Sequence, residues 1–111
     1  MINLGKHTEA LKDIIDHFGN KPQILKSSEE CHELIAVLDS MSSMGHDMKT
    51  ERLIDEISDV LIMAEQLKMI CKDLIVRNCL VVDRVKLRID EKVQRTLERM
   101  ESGYYDTAND Q

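Results

Sequence analysis

The sequence predicts an all-α protein, folded as an antiparallel four-helix bundle that associates into oligomers. The chain has 111 residues, of which 42% are hydrophobic and 32% are charged, with one proline and no tryptophan. That composition is typical of helical proteins with an aliphatic core. Apolar residues recur at helical spacing in four segments. We expect one helical domain over residues 1–103 and a flexible, acidic tail over residues 104–111.

Residues that start or stop helices separate these segments. Gly19 and Asn20 tolerate a left-handed backbone and should end the first helix. Pro22 suits the first turn of the second helix, where its missing N–H would have no partner anyway. Residues 42–47 are predicted to form a polar connector, and residues 72–80 a turn with helix on either side. The helices are expected over roughly these ranges: 7–18, 22–41, 49–71 and 81–102.

Charge and cysteine content narrow the possible partners. A formal net charge of −6 argues against a broad basic face for a nucleic-acid polymer or an anionic membrane. No apolar run approaches a membrane span, and the first residues lack the apolar core of a signal peptide. The three cysteines form no CxxC pair, which suggests a reducing compartment. We therefore expect a cytoplasmic protein with neither nucleic-acid nor membrane partners.

A helical wheel at about 100° per residue predicts which face of each helix is buried. The predicted stripe of the second helix comprises Cys31, Leu34, Ile35, Leu38 and Met41. That of the third comprises Leu53, Ile57, Val60, Ala64, Leu67 and Cys71, and that of the fourth Val85, Ile89, Val93, Leu97 and Met100. The third helix also carries a second apolar side, formed by Ile54, Leu61, Ile62 and Met69. A second apolar side predicts cover by another chain, so we expect a homodimer or a homotetramer.

Two pairs of acidic residues border the predicted stripes. Glu30 and Glu33 lie one turn apart on the second helix, and Glu56 and Asp59 lie one turn apart on the third. One such pair alone is usually the solvated flank of a surface helix. Two pairs in matching register on adjacent helices instead predict a site for a hard divalent cation. An all-oxygen ligand set favours Mg²⁺, with Mn²⁺ or Ca²⁺ as alternatives.

The fourth helix carries a row of cations along one border, formed by Arg88, Lys92, Arg95 and Arg99. Alone, such a row is usually a solvated edge that makes i, i+4 pairs, as Glu91 would with Arg95. Together with a metal site in an acidic protein, it is what binding of a polyphosphate would require.

Two other kinds of site are not supported. Glu29 and His32 form an ExxH motif, but a carboxylate-bridged di-iron bundle needs a second one, and no other histidine follows a glutamate at that spacing. We expect His32 on the surface. Cys31 is expected in the core as a small buried thiol rather than as a nucleophile.

The acidic residues also resemble a known signature. Glu29-Glu30-x-x-Glu33, a spacer of 22 residues and Glu56-x-x-Asp59 resemble the EExxE…ExxD signature of the MazG-like nucleotide pyrophosphohydrolases. These enzymes belong to the all-α NTP pyrophosphatase superfamily. His17-Phe18-Gly19, followed by Gln23 and Lys26, resembles the entry to the catalytic helix in small, often phage-encoded members. Residues 91–96 resemble their C-terminal helix, so the resemblance covers roughly residues 14–100.

The resemblance implies Mg²⁺-dependent hydrolysis of a nucleoside triphosphate to the monophosphate and pyrophosphate, as in house-cleaning of nucleotide pools. It implies that the metal is held by Glu30, Glu33, Glu56 and Asp59. Glu29 would orient or deprotonate the attacking water. Lys26, Lys92 and Arg95 would hold phosphates, and Gln23 would touch the phosphates or the nucleoside.

Two alternatives stay open. One is an activity similar to that of phosphoribosyl-ATP pyrophosphohydrolases. The other is a non-catalytic helical dimer that acts as a binding or regulatory module. The chain has only three aromatic residues, Phe18, Tyr104 and Tyr105, so the sequence predicts no particular base.

Overall fold

The structure, a computed structural model, describes residues 3–44, 50–74 and 81–103. A short 3-10 turn, Gly5–His7, precedes four α-helices: α1 Thr8–Phe18, α2 Asn20–Met44, α3 Thr50–Leu74 and α4 Val81–Glu101. No residue in the described ranges lies in a strand. The all-α prediction is therefore confirmed.

The predicted helix boundaries differ from the structure mainly at the connectors. Both α2 and α3 continue past their predicted ends, so residues 42–44 and 72–74 are helical. The rest of both connectors and the predicted tail over residues 104–111 lie outside the described residues. Within the described ranges, no helix combines the length and the apolar character needed to cross a bilayer.

The joint between α1 and α2 is a single residue, Gly19. Its φ of +91° lies in the left-handed region, which glycine adopts at little cost. The Gly19 N–H donates to the carbonyl of Ile15 at 2.7 Å and caps the end of α1. Pro22 lies in the first turn of α2. The predicted stop and restart of the helix are both confirmed.

The chain divides into two compact units, Met1–Val76 and Arg77–Gln111. In the first, α1 packs against α2 and α3, and the most extensive contact joins α2 to α3. These two helices are antiparallel, because Ser27 contacts Met63 whereas Glu30, further along α2, contacts Asp59, which is earlier in α3. The helix α4 belongs to the second unit and is described by itself. The four-helix bundle, the single domain and the oligomer stay predictions.

The buried surface between α2 and α3, called the seam below, is not the predicted apolar stripe. Its buried members are Gln23, Ser27, Glu30 and Val37 on α2, and Glu56, Met63, Gln66 and Ile70 on α3. Cys31 and Leu38, which were predicted to be buried, are exposed and directly follow the seam residues Glu30 and Val37. The predicted α3 stripe shows the same shift: Ile57, Ala64, Leu67 and Cys71 are exposed and follow Glu56, Met63, Gln66 and Ile70. The predicted faces of both helices are therefore wrong by one residue, or about 100°.

The shift has a physical reason. The prediction placed the most apolar face of each helix inside, but the seam contains carboxylates and carboxamides at helical spacing. Five apolar side chains form the core of the first unit: Leu11, Ile15, Val37, Met63 and Ile70. Outside it, Ile35, Ile54 and Ile62 are exposed, as are all five members of the predicted stripe on α4, which are 36% to 59% accessible.

Candidate metal centre

The four carboxylates predicted as metal ligands come together. Glu30 and Glu33 from α2 and Glu56 and Asp59 from α3 each offer an oxygen, and these oxygens all lie within 4.8 Å of one another. The i, i+3 spacing places each pair on one side of its helix. The antiparallel register then brings the two pairs to the same level of the seam. The sequence predicts all four at the border of the core, whereas in the structure Glu30 and Glu56 are buried inside it.

Two carboxylates of this acidic cluster are buried. Glu30 is 8% exposed and Glu56 is 9% exposed. In each, the Oε2 atom accepts no hydrogen bond from any described residue. A buried acceptor without a partner costs about 1–3 kcal/mol, and a charged one costs more. Glu33 is exposed and Asp59 is half-buried, so the cluster opens to solvent on one side. The cluster could therefore hold a cation, which would satisfy the buried oxygens and could reach them from the side that is open to solvent.

Lys26 supplies one positive charge at the edge of the cluster. Its Nζ lies 3.3 Å from Oε1 of Glu30, one turn further along α2. The hydrogen bond to Glu30 and the charge of Glu30 raise the pKa of Lys26, and the charges of Glu29 and Glu33 add to this. The Lys26 side chain is 54% exposed, and exposed ion pairs stabilise a fold only weakly. One ammonium group thus offsets only part of the charge of four carboxylates.

Burial and a neighbouring carboxylate change the pKa of Asp59. Burial raises the pKa of Asp59 above its ordinary value of 3.8, and the charge of Glu30 and a hydrogen bond with Glu30 raise it further. Lys26 acts in the opposite direction. Proximity of like charges disfavours the ionised form, whereas a bound cation would favour it. The electrostatics of Asp59 are those of an anion-rich site that gains from a cation.

The acidic cluster lies at a cavity of about 900 Å³ that is lined by residues of α1, α2 and α3. Glu30 and Asp59 are part of its wall, as are Gln23, Lys26 and Glu29. The structure therefore brings the predicted water-activating residue and two predicted substrate-binding residues to the same space as two of the predicted metal ligands.

The other two predicted substrate-binding residues, Lys92 and Arg95, are exposed on α4. Because α4 belongs to the second unit, their participation in this site stays a prediction. His32 is exposed, as predicted, and its Nδ1 lies 2.7 Å from the Ser28 carbonyl oxygen.

Gln66 is a buried polar residue of the cavity that the sequence analysis did not identify. It is 1% exposed and lines the cavity. It lies seven residues after Asp59, which is two helical turns and therefore the same face. That spacing would have identified it if the acidic pairs had been placed within the buried face rather than at its border.

Comparisons with known proteins give no relative: no protein-family model matches the chain, and neither a curated protein nor a solved structure does. The likeness to MazG-like enzymes therefore rests on the sequence resemblance alone, in the acidic signature and in the segments that flank it.

Proposed function

We propose that the chain is a Mg²⁺-dependent nucleoside triphosphate pyrophosphohydrolase that acts in house-cleaning of nucleotide pools. One observation carries the proposal: four carboxylates from two antiparallel helices converge within 4.8 Å, and two of them, Glu30 and Asp59, line a large cavity. The MazG-like signature, which these residues form, supplies the reaction class.

The residues present fit a hard divalent cation. All the ligand atoms on offer are carboxylate oxygens, and Mg²⁺ or Mn²⁺ prefers such ligands. The Oε2 atoms of Glu30 and Glu56 are buried and accept no hydrogen bond within the described part of the chain, so metal binding would satisfy them. When bound, Mg²⁺ would neutralise phosphate charge and favour attack of water at phosphorus.

Roles for the remaining residues follow from their positions. Glu29 is exposed at the cavity wall, where it can orient a water and accept its proton. The water oxygen bonds to the α-phosphorus, the bond from that phosphorus to the bridging oxygen breaks, and pyrophosphate leaves with that oxygen. Lys26 would contact phosphates from the same wall, and Gln23 would contact the phosphates or the nucleoside. Lys92 and Arg95 would add cationic contacts from α4.

The proposal includes a homodimer or homotetramer in the cytoplasm, where nucleotide pools are found. Its support is the exposed apolar side chains on the outer faces of α2 and α3, including Ile35, Leu38 and Ile54. Exposed apolar surface of this kind usually marks an association surface.

The test is pyrophosphate release from a panel of NTPs, dNTPs and phosphoribosyl-ATP, with and without Mg²⁺. We expect release that requires the metal and falls at least about 100-fold in Glu56→Gln, since electrostatic stabilisation of the transferred group supplies terms of that size. Glu51→Gln is the matched control, because Glu51 is an exposed glutamate of the same helix outside the acidic cluster. It should keep full activity.

A non-catalytic helical dimer is the second candidate, and the same exposed apolar faces favour it. It predicts a folded protein that releases no pyrophosphate from any member of the panel. Release from phosphoribosyl-ATP alone would instead identify the phosphoribosyl-ATP-type activity.

A further inference from the structure

The cavity has two chemically different parts. Glu29, Glu30 and Asp59 line its acidic part. Elsewhere its walls are mainly apolar, with Ile14 and Phe18 from α1 among them. Its volume of about 900 Å³ is within the range of cavities that hold small organic ligands. The cation and phosphates of the proposed function would occupy only the acidic part, so the apolar part requires another explanation.

Gln66 lies in the wall of this cavity and is almost completely buried. Its exposed fraction is 1%, and its Oε1 atom accepts no hydrogen bond from the residues that the structure describes. A buried acceptor left without a partner costs about 1–3 kcal/mol, which an apolar side chain of the same size would avoid. A carboxamide at this position is therefore expected to have a partner that enters the cavity.

The order of residues along α3 places Gln66 at a defined distance from the metal ligands. Asp59 and Gln66 are seven residues apart, which is about 10 Å along a helix at about 1.5 Å per residue. Met63, between them, also lines the cavity. This span is comparable to that between the phosphates and the base edge of a nucleotide.

The partner helix repeats the arrangement. Ser27 contacts Met63 and Glu30 contacts Asp59, so the same antiparallel register places Gln23 at the level of Gln66. Gln23 is 5% exposed and lines the cavity as well. Each helix thus carries a carboxylate and, two turns away, a buried carboxamide. A carboxamide both donates and accepts hydrogen bonds, as the edge of a nucleobase does.

We propose that the apolar part of this cavity holds the nucleobase, with Oε1 of Gln66 accepting a hydrogen bond from an N–H group on the edge of the base. Gln66 is thereby a specificity-determining residue, and the inference rests on the proposed function. Ile14, Phe18 and Ile62 provide the apolar surface against which a flat ring packs. Discrimination arises because a base without a donor at this point leaves the buried Oε1 unpaired.

The experiment compares the wild type with Gln66→Met, which removes the carboxamide and keeps an unbranched side chain of similar length. The first measurement is kcat/KM for ATP, CTP, GTP and UTP with Mg²⁺. The second is inhibition by inorganic tripolyphosphate, which has no base. The third is calorimetric titration with the four nucleoside monophosphates in EDTA, where no hydrolysis is needed. Gln94→Met is the matched control, because Gln94 is an exposed glutamine on α4.

We expect Gln66→Met to lower kcat/KM for the preferred base about tenfold, as loss of one hydrogen bond to a ligand does. Its affinity for the corresponding monophosphate should fall by a similar factor. Inhibition by tripolyphosphate should change less than about twofold, and Gln94→Met should resemble the wild type in every measurement. Thermal unfolding of Gln66→Met should occur at or above the wild-type temperature, since the unpaired acceptor is gone.

An unchanged ranking of the four bases in Gln66→Met would overturn the inference while leaving the proposed function intact. An equal loss of tripolyphosphate inhibition would also overturn it, because the defect would then concern the metal site. If the wild type hydrolyses no nucleotide, the proposed function fails, and the monophosphate titrations decide the inference. Equal affinity in the wild type and Gln66→Met, or no binding by either, would then count against it.

Discussion

On α2 and α3 the buried face carries many polar side chains and the exposed face carries large apolar ones, which is the reverse of most packed helices. Five of the eight side chains that define the seam are polar, among them Glu30, Glu56 and Gln66, whereas Ile35 and Leu38 are exposed to solvent. A helix of a globular protein ordinarily buries its apolar stripe and exposes its polar face. Buried polar groups cost stability unless they are paired. The comparison supports both proposals, that the seam forms a site and that the outer faces associate with another copy of the chain.

Replacement of core and outer side chains provides the strongest test of this comparison. Ile70 is 2% exposed, and we expect Ile70→Ala to lower the free energy of unfolding by about 3 kcal/mol through lost burial and a cavity. Leu38 is 47% exposed, so Leu38→Ala should cost about 1 kcal/mol or less in dilute protein. Urea denaturation at low protein concentration measures both values.

If the loss of unfolding free energy in Leu38→Ala grows with protein concentration, another copy of the chain covers the outer face. The two faces would then differ in their partner rather than in burial. Equal losses for Ile70→Ala and Leu38→Ala in dilute, monomeric protein would contradict the assignment of the seam.

Mg²⁺ should act on the seam and not on the outer faces. At a Mg²⁺ concentration 100 times its dissociation constant, one site stabilises the folded state by about 2.7 kcal/mol. That corresponds to a rise of roughly 10 °C in the unfolding temperature of a domain of this size. We expect the rise in the wild type and none in a double variant with Glu33→Gln and Glu56→Gln.

The control for this measurement is NaCl at the same ionic strength, because salt alone screens repulsion among the carboxylates. An equal rise with NaCl, or a rise that survives in the double variant, would show that the acidic cluster does not bind Mg²⁺ specifically.

The smallest expected effect concerns Asp59 in metal-free protein. Its folded-state pKa is raised above 3.8, so its contribution to stability is present below that value and is lost as the pH rises through the folded-state pKa. Asp59→Asn has no such loss. The free energy of unfolding of Asp59→Asn relative to the wild type should therefore increase between pH 4 and pH 7, by about 1 kcal/mol or less.

Urea denaturation in EDTA at several pH values measures this difference. A difference that is constant with pH, or one that decreases as the pH rises, would mean that ionisation of Asp59 does not destabilise the folded protein.

The sequence was sufficient for the fold class, the helices and the acidic cluster, because these depend on local signals. Gly19 and Pro22 mark the joint between α1 and α2, and the i, i+3 spacing of Glu30 and Glu33 fixes their common side of the helix. The convergence of both pairs required only that α2 and α3 be antiparallel neighbours.

Local signals did not predict which face of α2 and α3 is buried. Hydrophobicity favoured Cys31 and Ile57 as inner residues, but the face that packs is set by tertiary contacts of the whole unit and contains Glu30 and Glu56. Burial of these polar residues is why the predicted face is off by one position on both helices. The cavity was missed for a related reason, since it requires α1 to lie against α2 and α3, and no local pattern encodes that placement.

The conformation of Gly19 has a consequence for the cavity. With φ of +91° and ψ of 162°, it occupies a backbone region that is almost restricted to glycine. As the only residue between α1 and α2, it fixes the angle at which α1 leaves α2. Since α1 supplies Ile14 and Phe18 to the cavity wall, that angle sets the width available to a ligand. The backbone conformation of one glycine thus determines how far the α1 wall of the cavity stands from α2 and α3.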